Sequence, residues 1–263
     1  MRHKLVQREA ELGAIERLLR GALRGSGGAL LVEGPPGIGK TSLLRVAVTR
    51  ARALGLEARA ARADDFEGRL PFAIAHQLFE PTLRRMADEY ARDLLSGAAP
   101  RHEAVLGLYE HAVRLADSQP LAVVIDDAHH GDDPSLEWVR FMLPRLPALP
   151  IAVILVVRRP GGEGFALDFV DEAGVEALVL SALGDAATGA LLRAEVGVAA
   201  DPAFARSCRT ATAGNPLLLS ELARIVVSER MAPTAENAGA VAEPISPRLN
   251  RVVAARLRRL PPA

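Results

Sequence analysis

The chain has 263 residues, 49% of them hydrophobic, and balances 32 basic against 32 acidic side chains for a formal net charge of zero. That is enough apolar material for a sizeable core, and the charge balance excludes a strong global field toward nucleic acid or an anionic membrane. The lone Cys208 excludes an internal disulfide and a cysteine metal site, and the longest apolar run, Ile151 to Val157, is far too short to span a bilayer.

Met1-Arg2-His3-Lys4 opens the chain without an apolar signal core, so the sequence reads as cytoplasmic. Glu9 to Leu23 is predicted as an amphipathic helix with Leu12, Ile15, Leu18, Leu19 and Ala22 on one face. Gly25-Ser26-Gly27-Gly28 ends it, and Ala29 to Glu33 is a short apolar strand. A glycine-rich loop follows, then a helix from Thr41 to Leu54 and a strand from Glu57 to Ala61. Pro71 to Leu95 and Glu103 to Asp117 read as helices. Leu121 to Ile125 is an unbroken apolar run ending in Asp126-Asp127; Pro134 to Leu146 is helical. Ile151 to Val157 is a second such run, and Val175 to Leu180 is a weaker strand.

Runs without polar alternation suit strands buried on both faces, and strands alternating with helices give an α/β fold. After Leu180 the strand pattern stops. Asp185 to Val196, Pro202 to Ala213 and Pro216 to Arg230 read as helices, Met231 to Ser246 as a mobile linker, and Pro247 to Leu260 as a last helix. The predicted fold is a parallel five-stranded sheet flanked by helices (1–182), a small helical lid (183–246) and the start of a following domain (247–263).

The pattern G-x-x-x-x-G-K-[ST] falls on Gly34 to Thr41 without a gap. Backbone N–H groups must turn inward around a polyanion there, which requires glycine where side chains would collide. The helix beginning near Thr41 aims its positive end at phosphate. Lys40 is expected to reach the β and γ phosphates and the Thr41 hydroxyl to ligate Mg²⁺. Pro36, Gly37, Ile38, Gly39 and Ser42 complete the expected nucleotide contacts. Only Lys4 and Lys40 are lysine among the 32 basic residues. In so arginine-rich a chain, a lysine inside the loop points to a place where a planar guanidinium would not serve. The bland alternative is a glycine-rich strand-to-helix turn with an accidental lysine; the full motif between an apolar strand and a helix, in an α/β pattern, favours the phosphate loop.

P-loop chemistry needs a carboxylate at the end of another strand to hold Mg²⁺. Asp126 is the expected metal residue; Asp127 stands where many ATPases place the residue that activates water, and its shorter side chain implies slow hydrolysis. Capping of the next helix is assigned to Asp132 or Asp133. His129 and His130 are read as diverging neighbours rather than a metal pair, with His129 neutral near the γ-phosphate or packed on the sheet. Ligands of open α/β sheets sit beyond the carboxyl ends of the strands, which favours Arg158 as a γ-phosphate contact over Arg159, whose other reading is a solvated basic turn.

Five segments resemble the ATPase module of STAND proteins (signal-transduction ATPases with numerous domains), and in particular large LuxR-type transcriptional regulators. They are Leu5-Val6-Gln7-Arg8-Glu9, Gly34 to Thr41, Leu70-Pro71-Phe72 with Gln77-Leu78-Phe79-Glu80-Pro81, Asp126-Asp127-Ala128-His129, and Gly214-Asn215-Pro216-Leu217. The resemblance implies that Val6, Gln7 and Arg8 line the adenine side, that Arg158 is the sensor arginine, and that Pro216 packs on adenine. It implies ATP/ADP as ligand with Mg²⁺, self-association on ATP binding, and DNA contact only through a C-terminal domain beyond this chain. Gln7 stands where the family has glycine, and His130 where it often has tryptophan. Three functions follow as expectations: an ATP-hydrolysing regulatory switch, a nucleotide-binding scaffold with negligible turnover, and a small-molecule kinase, which gives the Asp-Asp-x-His and Gly-Asn-Pro segments no role.

Overall fold

The computed structural model describes residues 5–64, 70–86, 100–158, 169–170 and 173–242. Arg159 and the predicted helix from Pro247 to Leu260 lie outside the described residues. The chain groups into two compact units. The first comprises Glu9–Gly34 and Lys40–Val179; the second gathers the described residues of 1–8, 35–39 and 180–263.

The first unit is built on five parallel strands: β1 (Gly28–Glu33), β2 (Glu57–Arg62), β3 (Leu121–Asp126), β4 (Ile151–Val157) and β5 (Glu176–Val179). Their spatial order is β2-β3-β4-β1-β5. β3 and β4 are buried at every position, as uninterrupted apolar runs require when helices cover both faces. β2 and β5 carry charged residues and are largely accessible because they are the edges. Leu31, Val123, Ile125, Val153 and Leu155 share one face and one core with Phe79, Leu108, Trp138 and Met142. These come from helices α3 (Ala73–Met86), α4 (Arg101–Ser118) and α5 (Asp133–Met142). Strand alternation sends Leu30, Val32, Val124, Ile154 and Val156 to the opposite face, and helices α1 (Glu9–Leu23) and α2 (Lys40–Ala53) contact β1 to β4.

Phe79 anchors the first core, edge-on to Trp138 at 5.4 Å and to His111 at 5.5 Å. Asp132 caps α5, accepting from Ser135 N–H at 2.9 Å, and also accepts from Phe72 N–H at 2.7 Å. One carboxylate thus ends two chain segments, and α3 starts at Ala73, two residues later than predicted. The single helix predicted over Pro134 to Leu146 stops at Met142 and continues as a 3-10 turn, Leu143–Ala148. Pro144 and Pro147 lack the N–H groups an α-helix would need.

Burial pushes His111 down to about 4, with the charges of Arg114 and Arg59 adding to the effect. Its Nε2 pairs with the Thr82 hydroxyl at 2.9 Å. The unfolded chain therefore binds this proton more readily, so the stabilisation is complete above pH 6.5 and is lost as pH falls toward 4. Between pH 7 and pH 5 this group is expected to cost about 2 kcal/mol of stability. Urea midpoints measured across that range check it, and a His111→Gln chain should show a flatter profile.

The second unit is helical: α6 (Asp185–Val196), α7 (Pro202–Thr212), α8 (Pro216–Ser228), a 3-10 turn Ala235–Asn237 and α9 (Ala238–Ala242). Leu183, Leu192, Phe204, Cys208, Leu219, Leu222 and Val226 form its core, with Val6 packed against them. Asp201 and Asn215 cap α7 and α8 through side-chain oxygens. The mobile linker predicted from Met231 is corrected over its described part. Val241 is buried in the core of this unit, Pro233 C=O accepts from Asp201 N–H at 2.8 Å, and Asn237 Nδ2 donates to Ala232 C=O at 2.9 Å. A composition of Ala, Pro and Gly looked like a linker because few large apolar residues, Val241 and Met231 among them, carry the packing. No described helix is long and apolar enough to cross a membrane.

Candidate functional site

The parallel register places the ends of the central strands together. Glu33 of β1 lies beside Val157 of β4, Ile125 of β3 beside Leu155, and Arg62 of β2 beside Asp126. Gly34, Asp126 and Arg158 consequently emerge at one edge of the sheet, the carboxyl end where α/β ligands sit.

Lys40 is the first residue of α2 and is buried; its Nζ donates to Gly34 C=O at 2.6 Å. Burial chiefly, and the Arg158 charge next, push its pKa down, while Asp127 and Asp126 oppose them. Thr41 Oγ1 donates to Asp126 Oδ2 at 2.9 Å, and Asp126 Oδ1 accepts from Asp127 N–H at 3.0 Å. Ser42 follows in the first turn of α2 and is half-buried. A hydroxyl and a carboxylate in contact are the hard oxygen donors that Mg²⁺ takes, with water completing its shell. The residues present therefore fit the metal. No group of three or more His, Cys, Asp or Glu suited to a metal exists among the described residues.

Asp127 is buried, with φ 50°. Aspartate tolerates this left-handed backbone better than most residues. Its carboxylate faces two guanidiniums: Arg62 Nη2 at 3.1 Å from Oδ2 and Arg158 Nε at 3.4 Å from Oδ1. Arg158 N–H also points at His129 Nδ1, 3.4 Å away. Burial and the neighbouring His130 push His129 down to about 4, so it is neutral near pH 7. The expectation that the two histidines diverge is corrected. The 3-10 turn Ala128–His130 brings their ring centroids to 4.1 Å, tilted by 43°.

The second unit holds residues 35–39 of the loop. Gly37 has φ +77°, and a Cβ there would meet Asn215 Oδ1 at 2.8 Å and Leu217 Cβ at 3.0 Å. Both conformation and space require glycine. Asn215 Nδ2 donates to Pro36 C=O at 2.9 Å and Leu217 N–H to Gly37 C=O at 3.2 Å. Arg8 is buried and its Nη2 donates to Ile38 C=O at 3.1 Å and to Ser181 C=O at 2.8 Å. Gln7 keeps a glycine-like backbone at φ 58°, and its Oε1 accepts from Gly184 N–H at 2.8 Å. Val6 packs on the helical core and Pro216 opens α8, half-buried. Gly39 has φ +103° with open space around it.

Three participants escaped the sequence reading. Arg62 lies one residue beyond the predicted strand, which ends at Ala61; only the pairing of β2 with β3 brings it to Asp127. Ser181 contributes a carbonyl, which no side chain announces. Asn215 reaches the loop through its amide nitrogen, for which no sequence pattern exists.

The chain matches the AAA ATPase domain family over residues 4–156, more than half its length. No curated protein matches it. Among solved structures it is similar to a RuvB mutant from Thermotoga maritima, with 13% identity and a TM-score of 0.54 over 92% of this chain and 71% of that one. It is similar to the Aeropyrum pernix ORC1 protein in complex with DNA, at 19% identity and a TM-score of 0.54 over 90% and 65% of the two chains. Drosophila ORC bound to DNA gives 17% identity and a TM-score of 0.56 over 96% of this chain and 66% of that one. At these identities the likeness shows the fold, a P-loop sheet flanked by helices. With the loop, the acidic strand end and the family match together, the chain belongs to the AAA ATPase domain family and is a nucleotide-binding module of that kind.

Proposed function

We propose that this chain is an ATP/ADP-binding regulatory switch with slow, Mg²⁺-dependent ATP hydrolysis, the STAND-class module of a LuxR-type transcriptional regulator. The observation that carries the reading is the Thr41–Asp126 pair, in contact at 2.9 Å, with buried Lys40 preceding Thr41 in the chain. A hydroxyl in the first turn of α2 and a carboxylate at the end of β3 suit a metal bound with a polyphosphate. In this reading Lys40 binds the β and γ phosphates, Thr41 and Asp126 hold Mg²⁺, and Asp127 orients water. Arg158 contacts the γ-phosphate, Pro36 to Ser42 wrap the phosphates, and Val6, Gln7, Arg8 and Pro216 serve the adenine side. The core would span 1–182, the lid 183–246 and the next domain begin at 247.

Slow turnover is supported by Asp127, whose two oxygens face Arg62 and Arg158. Each guanidinium takes part of the acceptor capacity of this carboxylate and so competes with a water for it. The same observation favours the second reading, a scaffold whose nucleotide is structural and rarely cleaved. ATP exchange would promote self-association, and DNA would be read by a following domain rather than by this charge-balanced module. The test is to denature the purified protein and identify what it releases. Bound ADP is expected; a guanine nucleotide, or a chain that takes up no adenine nucleotide when offered it, overturns the reading.

A further inference from the structure

Three successive carbonyls of the phosphate loop are each held by a donor. Asn215 Nδ2 takes the Pro36 oxygen, Leu217 N–H the Gly37 oxygen and Arg8 Nη2 the Ile38 oxygen. The described peptides are all trans, and in a trans peptide the carbonyl and the following N–H point in opposite directions. Anchoring these oxygens therefore turns the N–H groups of Gly37, Ile38 and Gly39 the other way, as a run of donors for an anion. Ile38 N–H reaches Pro35 C=O at 3.4 Å, a long contact that a phosphate oxygen would readily replace.

Asn215 divides two tasks between two atoms. Its Oδ1 caps α8, accepting from Leu217 N–H at 3.0 Å and Leu218 N–H at 3.4 Å. Its Nδ2 is left for the loop at 2.9 Å. Aspartate and serine cap a helix about as well as asparagine but offer no N–H at this place. Capping alone therefore does not account for an asparagine, whereas the loop contact does. Gly37 leaves the room that lets Asn215 approach.

We propose that Asn215 is a positioning residue of the nucleotide site, whose side-chain amide sets the phosphate loop in its anion-binding form. The proposal rests on the nucleotide reading above. It predicts an effect on the phosphate end of the ligand and none on the base.

The experiment compares wild type, Asn215→Asp, Asn215→Ser and Lys40→Ala in the full chain, by calorimetric titration with ADP and with adenosine. Both Asn215 variants retain a capping oxygen, so melting temperatures should stay close to wild type. ADP affinity is expected to fall about tenfold in each, the effect of one lost hydrogen bond, with adenosine affinity unchanged. Serine is neutral, so its loss cannot come from repulsion of phosphate by a new carboxylate. Wild-type ADP affinity in both variants overturns the proposal, as does an equal loss of ADP and adenosine. Absence of ADP binding by wild type, or normal binding by Lys40→Ala, would instead defeat the nucleotide reading. The Gly37 amide resonance of nucleotide-free Asn215→Ser then decides the proposal: it should move because the Pro36 carbonyl has lost its donor, and an unmoved resonance overturns it.

Discussion

Replacing Lys40 with alanine is expected to weaken ADP and ATP binding by on the order of 100-fold while leaving the chain folded, an effect of ~3 kcal/mol. The side chain begins α2 and is buried, with its Nζ on the Gly34 carbonyl. Burial and Arg158 push its pKa down, and Asp126 and Asp127 only partly oppose them. A polyphosphate would be the strongest counter-charge offered to this ammonium, through charge-assisted hydrogen bonds that alanine cannot make. Alanine removes the buried charge altogether and is a good helix former, so the protein should survive the change. Lys40→Arg should not rescue binding, because a planar fork does not fill the place of a compact ammonium. Titration with ADP reads both variants; wild-type affinity in Lys40→Ala would mean that the loop does not hold the phosphates.

Asp126→Asn should separate binding from chemistry. Asp126 accepts from the Thr41 hydroxyl and from Asp127 N–H. Asparagine keeps one acceptor oxygen, and its amide can meet the hydroxyl as a donor, so local structure is retained. What disappears is the negative charge that a divalent cation requires. Apparent Mg²⁺ affinity and Mg²⁺-dependent ATP turnover are expected to drop by on the order of 100-fold. ADP affinity measured without Mg²⁺ should change little. Equal turnover in wild type and Asp126→Asn, across a magnesium titration, would remove Asp126 from the metal site.

The central strands were legible because burial on both faces leaves no room for polar alternation. Leu121 to Ile125 and Ile151 to Val157 could hardly be anything else once helices flanked them. The edge strands were fainter, since charged residues such as Glu57, Arg59 and Glu176 interrupt the apolar pattern where one side of the ladder is missing. Strand order was not legible, and with it went Arg62, whose approach to Asp127 exists only because β2 lies beside β3. The start of α5 was readable from Asp132, a carboxylate whose bonds are local. Contacts made by backbone carbonyls, such as Ser181 and Ile38 with Arg8, have no residue type to betray them. Gln7 shows the same limit from the other direction. It holds a positive φ, a backbone that glycine usually supplies, and its side chain adds a bond to Gly184.

The most direct measurement is the fate of ATP on the purified wild-type protein. Protein in excess over labelled ATP should convert it to ADP slowly when Mg²⁺ is present and not when it is chelated, with Asp126→Asn inactive under both conditions. ATP recovered intact from a fully bound wild-type complex with Mg²⁺ would contradict the hydrolysing switch and leave the nucleotide-binding scaffold in its place.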